Sequence, residues 1–216
     1  MRFADRADAG RRLAHALVDY RDRDAVVLAL PRGGLPVAAE IASALAAPLD
    51  VVLVRKIGVP WQPELAMGAL VEGDDPIVAR NEPIISAARI GERGFEAARK
   101  RALVELEDVR RRLVGDRPRA RIAGRVAILV DDGVATGATA RAALQSIRRR
   151  GAKTLTLAAP VASVEALAAL KREVDDLVCL EAPARFDAVG AFYADFRQVE
   201  DEEAVAILAR FSPAAR

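Results

Sequence analysis

The sequence predicts an α/β fold: an open, mainly parallel twisted sheet flanked by helices, with a helical insertion and a small C-terminal hood. Three observations predict it. Short β-branched runs, apolar throughout, recur along the chain, as strands covered on both faces would. Helix-like patterns separate them, which argues for right-handed crossovers between parallel strands. Apolar residues make up 52% of the 216 positions, ample for a core on both sides of a sheet.

Taken in order, AVVLAL (25–30) is the first strand and LPVAAEIASALAA (35–47) the helix after it. DVVLV (50–54) is the second strand, ending on Arg55 and Lys56. Residues 57–82 break the rhythm with Gly58, Pro60, Pro63, Gly68 and Gly73, and LAMGALVEGDDPIVAR suits a hairpin turning at Gly73–Asp75. This segment is expected to be a lid. Residues 86–114 read as one or two charged helices with an apolar stripe at Leu103, Leu106, Val109 and Leu113, the charges forming a solvated face. VAILV (126–130), the softer TLTLAA (154–159) and LVCL (177–180) are the remaining strands. Between them, TARAALQSIRRRG (139–151) has Arg148–Arg150 and Gly151 to close a helix, and SVEALAALKREV (163–174) has Ser163 as N-cap. The expected organisation is one domain, 1–216, with 182–199 as the hood.

Composition narrows the function. Thirty-three basic residues nearly balance thirty-one acidic ones, for a formal charge of +2. Only four of the cations are lysines, and the arginines are spread along the whole chain rather than clustered as in a nucleic-acid footprint. The one cysteine, Cys179, sits in an apolar run and reads as a structural thiol, so a reducing compartment fits. The one histidine, His15, has no second histidine with which to anchor a metal cluster or triad. The N-terminus is charged from its second residue and no apolar run approaches a bilayer span, so a cytoplasmic protein with no membrane partner is expected.

The stretch ILVDDGVATGATARAAL (128–144) carries the chemistry. It is a strand, then two adjacent carboxylates, then a loop with almost no side chains, then a helix. Ligands bind at the carboxyl ends of strands in such sheets. Small residues let amide N–H groups approach a ligand, and the helix start adds positive dipole, so Ala135, Thr136, Gly137, Ala138 and Thr139 form an anion site suited to phosphate. Asp131 and Asp132 would repel phosphate and must face something else. Carboxylates accept well from vicinal hydroxyls and can also face hydrated Mg²⁺. Together these describe a receptor for a ribose 5-phosphate. A second strand–loop–helix unit, LALPRGGLPVAAEIA (28–42), places Arg32, Gly33 and Gly34 where pyrophosphate could bind. Arg55 and Lys56 add two more cations.

The run ILVDDGVATGAT resembles the phosphoribosyl pyrophosphate (PRPP) motif of type I phosphoribosyltransferases, and the order of elements over 25–199 is similar to theirs. No Gly-Lys-Ser/Thr follows, as a Walker-type loop would need. The resemblance implies a Mg²⁺-dependent enzyme of nucleotide salvage that moves the phosphoribosyl group of PRPP to a nitrogen acceptor and releases pyrophosphate. It implies Asp131, Asp132, Arg55 and Lys56 as catalytic residues, with Arg32, Gly33, Gly34 and Arg197 on pyrophosphate. ARFDAVGAFYADFRQV (184–199) loosely resembles the tail of hypoxanthine-type enzymes, which implies Phe186 stacking on a base and Asp195, with Asp131 and Asp132, near metal, mostly through water. Ala135 stands where hypoxanthine and guanine enzymes often carry an aspartate, a resemblance to adenine-type enzymes instead. Loop and tail therefore point to different acceptors. Family members are often homodimers. The alternative is a PRPP-sensing regulator of the same fold, binding RNA through 86–119.

Overall fold

The computed structural model describes residues 2–73 and 76–211. Helix α1 (Arg6–Ala16) begins where the Asp5 carboxylate accepts the amide of Asp8, a side-chain cap at its start. Strand β1 (Ala25–Ala29) runs fully buried into the Pro31–Gly34 turn, and α2 (Gly34–Leu45) follows. The short strand β2 (Leu49–Val51) comes next. The chain then leaves the sheet for β3 (Val54–Val59), β4 (Gln62–Val71) and β5 (Ile77–Arg80), and for helices α3 (Glu82–Ala87) and α4 (Glu92–Leu113). It returns through β6 (Val126–Val130), α5 (Ala138–Arg149), β7 (Thr154–Val161), α6 (Val164–Leu170) and β8 (Asp176–Glu181), and ends on α7 (Asp201–Ala209).

Five strands form one all-parallel sheet in the order β2-β1-β6-β7-β8. Alternation along β1 and β6 explains why both read as continuous apolar runs. Val27, Ala29, Ile128 and Val130 face a core shared with α1, α2, α4 and α7, while Val26, Leu28, Ala127 and Leu129 face a second core under α5 and α6. Each fully buried Val, Leu or Ile among them contributes about 1.5–3 kcal/mol of transfer free energy. The chain leaves β1 toward one edge and β6 toward the other. The switch point therefore lies between β1 and β6, where a ligand crevice is expected at the carboxyl ends.

Three expectations need correcting. The run 50–54 is not one strand. Main-sheet pairing ends at Val51, and Val54 opens a separate three-stranded antiparallel sheet, β3-β4-β5. Arg55 and Lys56 thus stand on a small sheet beside the main one, not on a main-sheet edge. The segment 57–82 holds two hairpins rather than one, and the unforeseen one turns at Pro60–Trp61. The predicted turn joins β4 to β5, and its Asp74 and Asp75 lie outside the described residues. The predicted helix over 163–174 stops at Leu170, with Ser163 capping it as expected.

The charged insertion is the pair α3 and α4. Leu106 and Leu113 are buried, and Leu103 and Val109 pack partly buried on the same core, so the predicted stripe is the packed face. Buried Glu72, just after β4, pairs with Arg110 of α4 at 3.3 Å and ties the small sheet to that helix. Burial pushes the Glu72 carboxyl above its ordinary pKa. Among the described residues no helix is long and apolar enough to cross a membrane.

Candidate functional site

The loop from Gly133 to Gly137 is moored from one side. Val134 bridges to Ala162, and the Ser163 hydroxyl donates to the Ala135 carbonyl at 2.7 Å while accepting the Ala166 amide. With that carbonyl tied down and the Val134 amide donating to the Val161 carbonyl at 2.9 Å, the amides of exposed Ala135 and Thr136 are the ones left toward solvent. Among the described residues no protein acceptor takes the Ala135, Thr136 or Gly137 N–H groups. Gly137 has φ +75°, a left-handed turn that glycine tolerates, and it leads directly into α5. Ala135, Thr136, Ala138 and Thr139 are all exposed. Open amides at the start of a 12-residue helix make an anion receptor.

Beside this loop stand the two carboxylates at the end of β6. Asp131 accepts the Asp132 amide at 2.9 Å. Asp131 is half-buried. Burial, and then the charge of Asp132, push its carboxyl well above the usual carboxylate range. Asp132 has a cation of its own. Arg6, the first residue of α1, donates its Nε to Asp132 Oδ2 at 2.7 Å, and both side chains are almost enclosed. Its Nη1 donates to the Arg197 carbonyl at 2.7 Å, and its guanidinium lies 3.9 Å from the centre of the Phe196 ring. Tyr193 donates its hydroxyl to the Asp132 carbonyl at 2.5 Å. Burial, followed by the charge of Asp132, raises the Tyr193 pKa and keeps that donor neutral.

The glycines of the first loop meet these groups. A Cβ on Gly33 would lie 2.1 Å from Asp132 Oδ2, and one on Gly34 would lie 2.8 Å from the Val130 carbonyl. Only bare backbone fits between α2 and the end of β6, so the two predicted loops share one crevice at the switch point. Arg32 is reached from the same turn. Its Nη1 lies 3.3 Å from Asp201 and 3.6 Å from Glu200. Arg55 pairs with Glu105 of α4, and Lys56 pairs with Glu64 across the β3–β4 hairpin at 3.0 Å. Arg32, Arg55 and Arg112 of α4 line one cavity of about 330 Å³, with Asp201 at its wall. A larger cleft of about 830 Å³ runs from Ala138 and Thr139 down one side of α5, facing Arg55, Lys56 and Arg80 of the small sheet.

The hood is less concentrated. Phe186 stacks on Phe192, ring centres 5.5 Å apart, so one face of the expected base stacker is already covered. Arg197 is held by Glu203 at 2.6 Å, and Asp195 accepts the Arg197 amide. Cys179 is half-buried and donates to the Glu181 carbonyl, as a structural thiol does, and burial raises its pKa. Arg6, Tyr193, Arg112, Asp201 and the second role of Ser163 were not foreseen from the sequence. Arg6 lies 126 positions from Asp132, and no local spacing could have linked them.

The phosphoribosyl transferase domain matches residues 3–193 as a family. The chain belongs to the phosphoribosyltransferase family. A Mycobacterium tuberculosis protein provisionally named a phosphoribosyl transferase, present in two strains, is 45% identical over 208 residues. That match takes in 96% of this chain and 46% of the relative, so the chain spans about half the length of the curated relatives it matches. The crystal structure of TT1426 from Thermus thermophilus is 42% identical and covers 99% of this chain and 100% of its own, with a TM-score of 0.84. The matched region of this phosphoribosyltransferase chain includes both loops, the small sheet and α1 with Arg6.

Proposed function

We propose that this domain transfers the 5-phosphoribosyl group of PRPP to a nitrogen acceptor, a nucleobase in the first instance, with release of pyrophosphate. One observation carries the reading. Two carboxylates lie between a loop of open amides at a helix start and an arginine-bearing glycine loop, all at the sheet's switch point.

In this assignment the 5-phosphate sits on Ala135–Thr139 and the ribose hydroxyls donate to Asp131 and Asp132. Pyrophosphate lies along Arg32, Gly33 and Gly34, with Arg55, Lys56 and Arg197 as further cations. As the C1–O bond breaks, negative charge grows on pyrophosphate and positive charge on the sugar ring. The arginines meet the first and the carboxylates the second. The hairpins of 57–82 close over the site and exclude water, which would otherwise capture the ribosyl cation. Phe186 keeps one face for the acceptor base.

Among the described residues there is no cluster of three or more His, Cys, Asp or Glu groups of the kind that cages a metal. The donor chemistry still suits Mg²⁺. That ion keeps several waters and takes one or two carboxylates plus substrate phosphates. Asp131 and Asp132 would hold it, mostly through water, with Asp195 the more distant candidate. It would supply charge neutralisation for the leaving group.

The test is pyrophosphate release from PRPP and Mg²⁺ across purine, pyrimidine, nicotinamide-like and imidazole-like acceptors. The blank is Asp131→Asn with Asp132→Asn, checked for native circular dichroism. Release with one acceptor, absent in the blank, is expected. Unchanged PRPP affinity in the double variant would remove the site assignment. PRPP binding without release from any acceptor would favour the sensor reading.

A further inference from the structure

The geometry points to Arg6 as a positioning residue for the ribose-binding carboxylate, an inference that rests on the function proposed above. A carboxylate on a loop can rotate about two bonds and offer either oxygen. Asp132 cannot. Its Oδ2 is taken by Arg6 Nε at 2.7 Å, and that same atom is packed against Gly33, where a Cβ would lie 2.1 Å away. Its backbone is held separately by the Tyr193 hydroxyl. With Oδ2 taken, Oδ1 is the oxygen the Asp132 carboxyl can turn to a sugar hydroxyl, beside the neighbouring Asp131 carboxyl.

Arg6 is itself fixed from three sides. Asp132 binds its Nε, the Arg197 carbonyl accepts from its Nη1, and the Phe196 ring covers its plane. The helix that carries it is packed closely on α2, since a Cβ on Gly10 would lie 2.7 Å from the Val37 carbonyl. The segment ahead of α1 pairs with the hood, Phe3 donating to Phe192 and Ala194 donating back to Phe3. The N-terminal segment and the hood therefore grip one guanidinium between them. A planar fork suits this better than an ammonium, because its donors point in fixed directions and its face can stack.

The charge matters as well as the geometry. Asp131 and Asp132 are adjacent carboxylates facing a polyanionic substrate. Arg6 offsets one of them from the side away from the ligand, and the contact is almost enclosed, so solvent and salt screen it little. A merely structural arginine would stabilise the fold and leave ligand preference alone. A positioning arginine acts on ligands that carry ring hydroxyls.

The experiment compares three probes by calorimetry: ribose 5-phosphate, 2,3-dideoxyribose 5-phosphate and inorganic phosphate. The wild-type chain should prefer ribose 5-phosphate. Arg6→Met should lose about tenfold in affinity for ribose 5-phosphate and little for the other two, the size of one lost oriented hydrogen bond to a charged group. Arg6→Lys keeps the charge and loses the fork. It should show the same selective loss at smaller size, and it serves if Arg6→Met does not fold. Equal loss for all three probes, or no loss, overturns the inference and leaves Arg6 structural. A gain for ribose 5-phosphate overturns it by making Arg6 a competitor. No wild-type preference for the hydroxyl-bearing sugar would remove the ribose site itself, and the inference with it.

Discussion

The two halves of the candidate site are built on opposite plans. The phosphate and ribose half comes from one continuous stretch, 131–139, and its amides are open while its carboxylates are held from behind. The pyrophosphate half draws its cations from separate elements, and each is already matched by a carboxylate of the chain. Arg32 meets Asp201, Arg55 meets Glu105, Lys56 meets Glu64 and Arg197 meets Glu203. On the proposed assignment the first half is preorganised for its ligand, and the second would exchange internal partners for external ones. Exposed ion pairs contribute only about 0–1 kcal/mol each, so a multiply charged diphosphate can displace them.

The largest effect should come from the seam between the halves. Gly33→Ala adds a Cβ 2.1 Å from Asp132 Oδ2 and 2.7 Å from its Cγ. Asp132 cannot yield without breaking its pair with Arg6. PRPP affinity is expected to fall on the order of 100-fold, about 2.7 kcal/mol, with the far-ultraviolet spectrum unchanged. Affinity within threefold of wild type would show that the two loops do not share a ligand. Next in size is Arg55→Ala. Its pair with Glu105 is about half exposed, so stability should hold. Its charge matters more as pyrophosphate leaves, so kcat should fall roughly tenfold while PRPP affinity changes little. Weaker PRPP affinity with kcat unchanged would make Arg55 a ground-state contact.

The same contrast explains what the sequence revealed. The ribose and phosphate half is local, and a strand, two carboxylates and a side-chain-poor loop can be read from consecutive letters. So could the sheet, because strands buried on both faces must be apolar throughout. The break at Val51 was hidden because Val52 and Leu53 are as apolar as the strand before them. Both are buried, but Val52 donates to Ala29 of β1 while the Leu53 carbonyl accepts from Glu72 just after β4, so the chain changes sheets between them. Arg6, Arg112 and Asp201 were hidden for a different reason. Their partners are fixed by tertiary packing of α1, α4 and α7, and among 29 arginines nothing marks these two. Phe186 was singled out for its aromatic face, and no local pattern shows that Phe192 covers one side of it.

A smaller effect, opposite in sign, should follow from Asp201→Asn. Asp201 bridges Arg32 at 3.3 Å and Arg112 at 3.1 Å on the wall of their shared cavity. Removing its charge frees Arg112 and leaves Arg32 only the longer contact with Glu200 at 3.6 Å, so both cations turn more readily to a diphosphate. Inorganic pyrophosphate should bind about two- to fivefold more tightly, as the loss of exposed pairs worth up to about 1 kcal/mol allows. The gain should shrink at high salt, which screens exposed charges. Weaker binding would instead mean that Asp201 orients Arg32, and the second half of the site would then be preorganised like the first.

A further effect of similar size concerns stability and isolates the held half. Burial and the charge of Asp132 raise the Asp131 carboxyl above its unfolded value. A group whose folded pKa is raised contributes stability below its unfolded pKa, near 3.9 for aspartate, and loses it as pH rises through the folded value. Asp131→Asn is neutral at every pH and keeps an oxygen to accept the Asp132 amide. The ligand-free variant should therefore melt about 2–4 °C above wild type at pH 8, the shift that roughly 1 kcal/mol gives a chain of this size. At pH 3.5 the two should coincide. A difference that persists at pH 3.5 would trace the gain to packing rather than charge. The same variant should bind PRPP poorly, so stability and affinity would move in opposite directions at one residue. That opposition is expected where a fold keeps two carboxylates together for a ligand's sake.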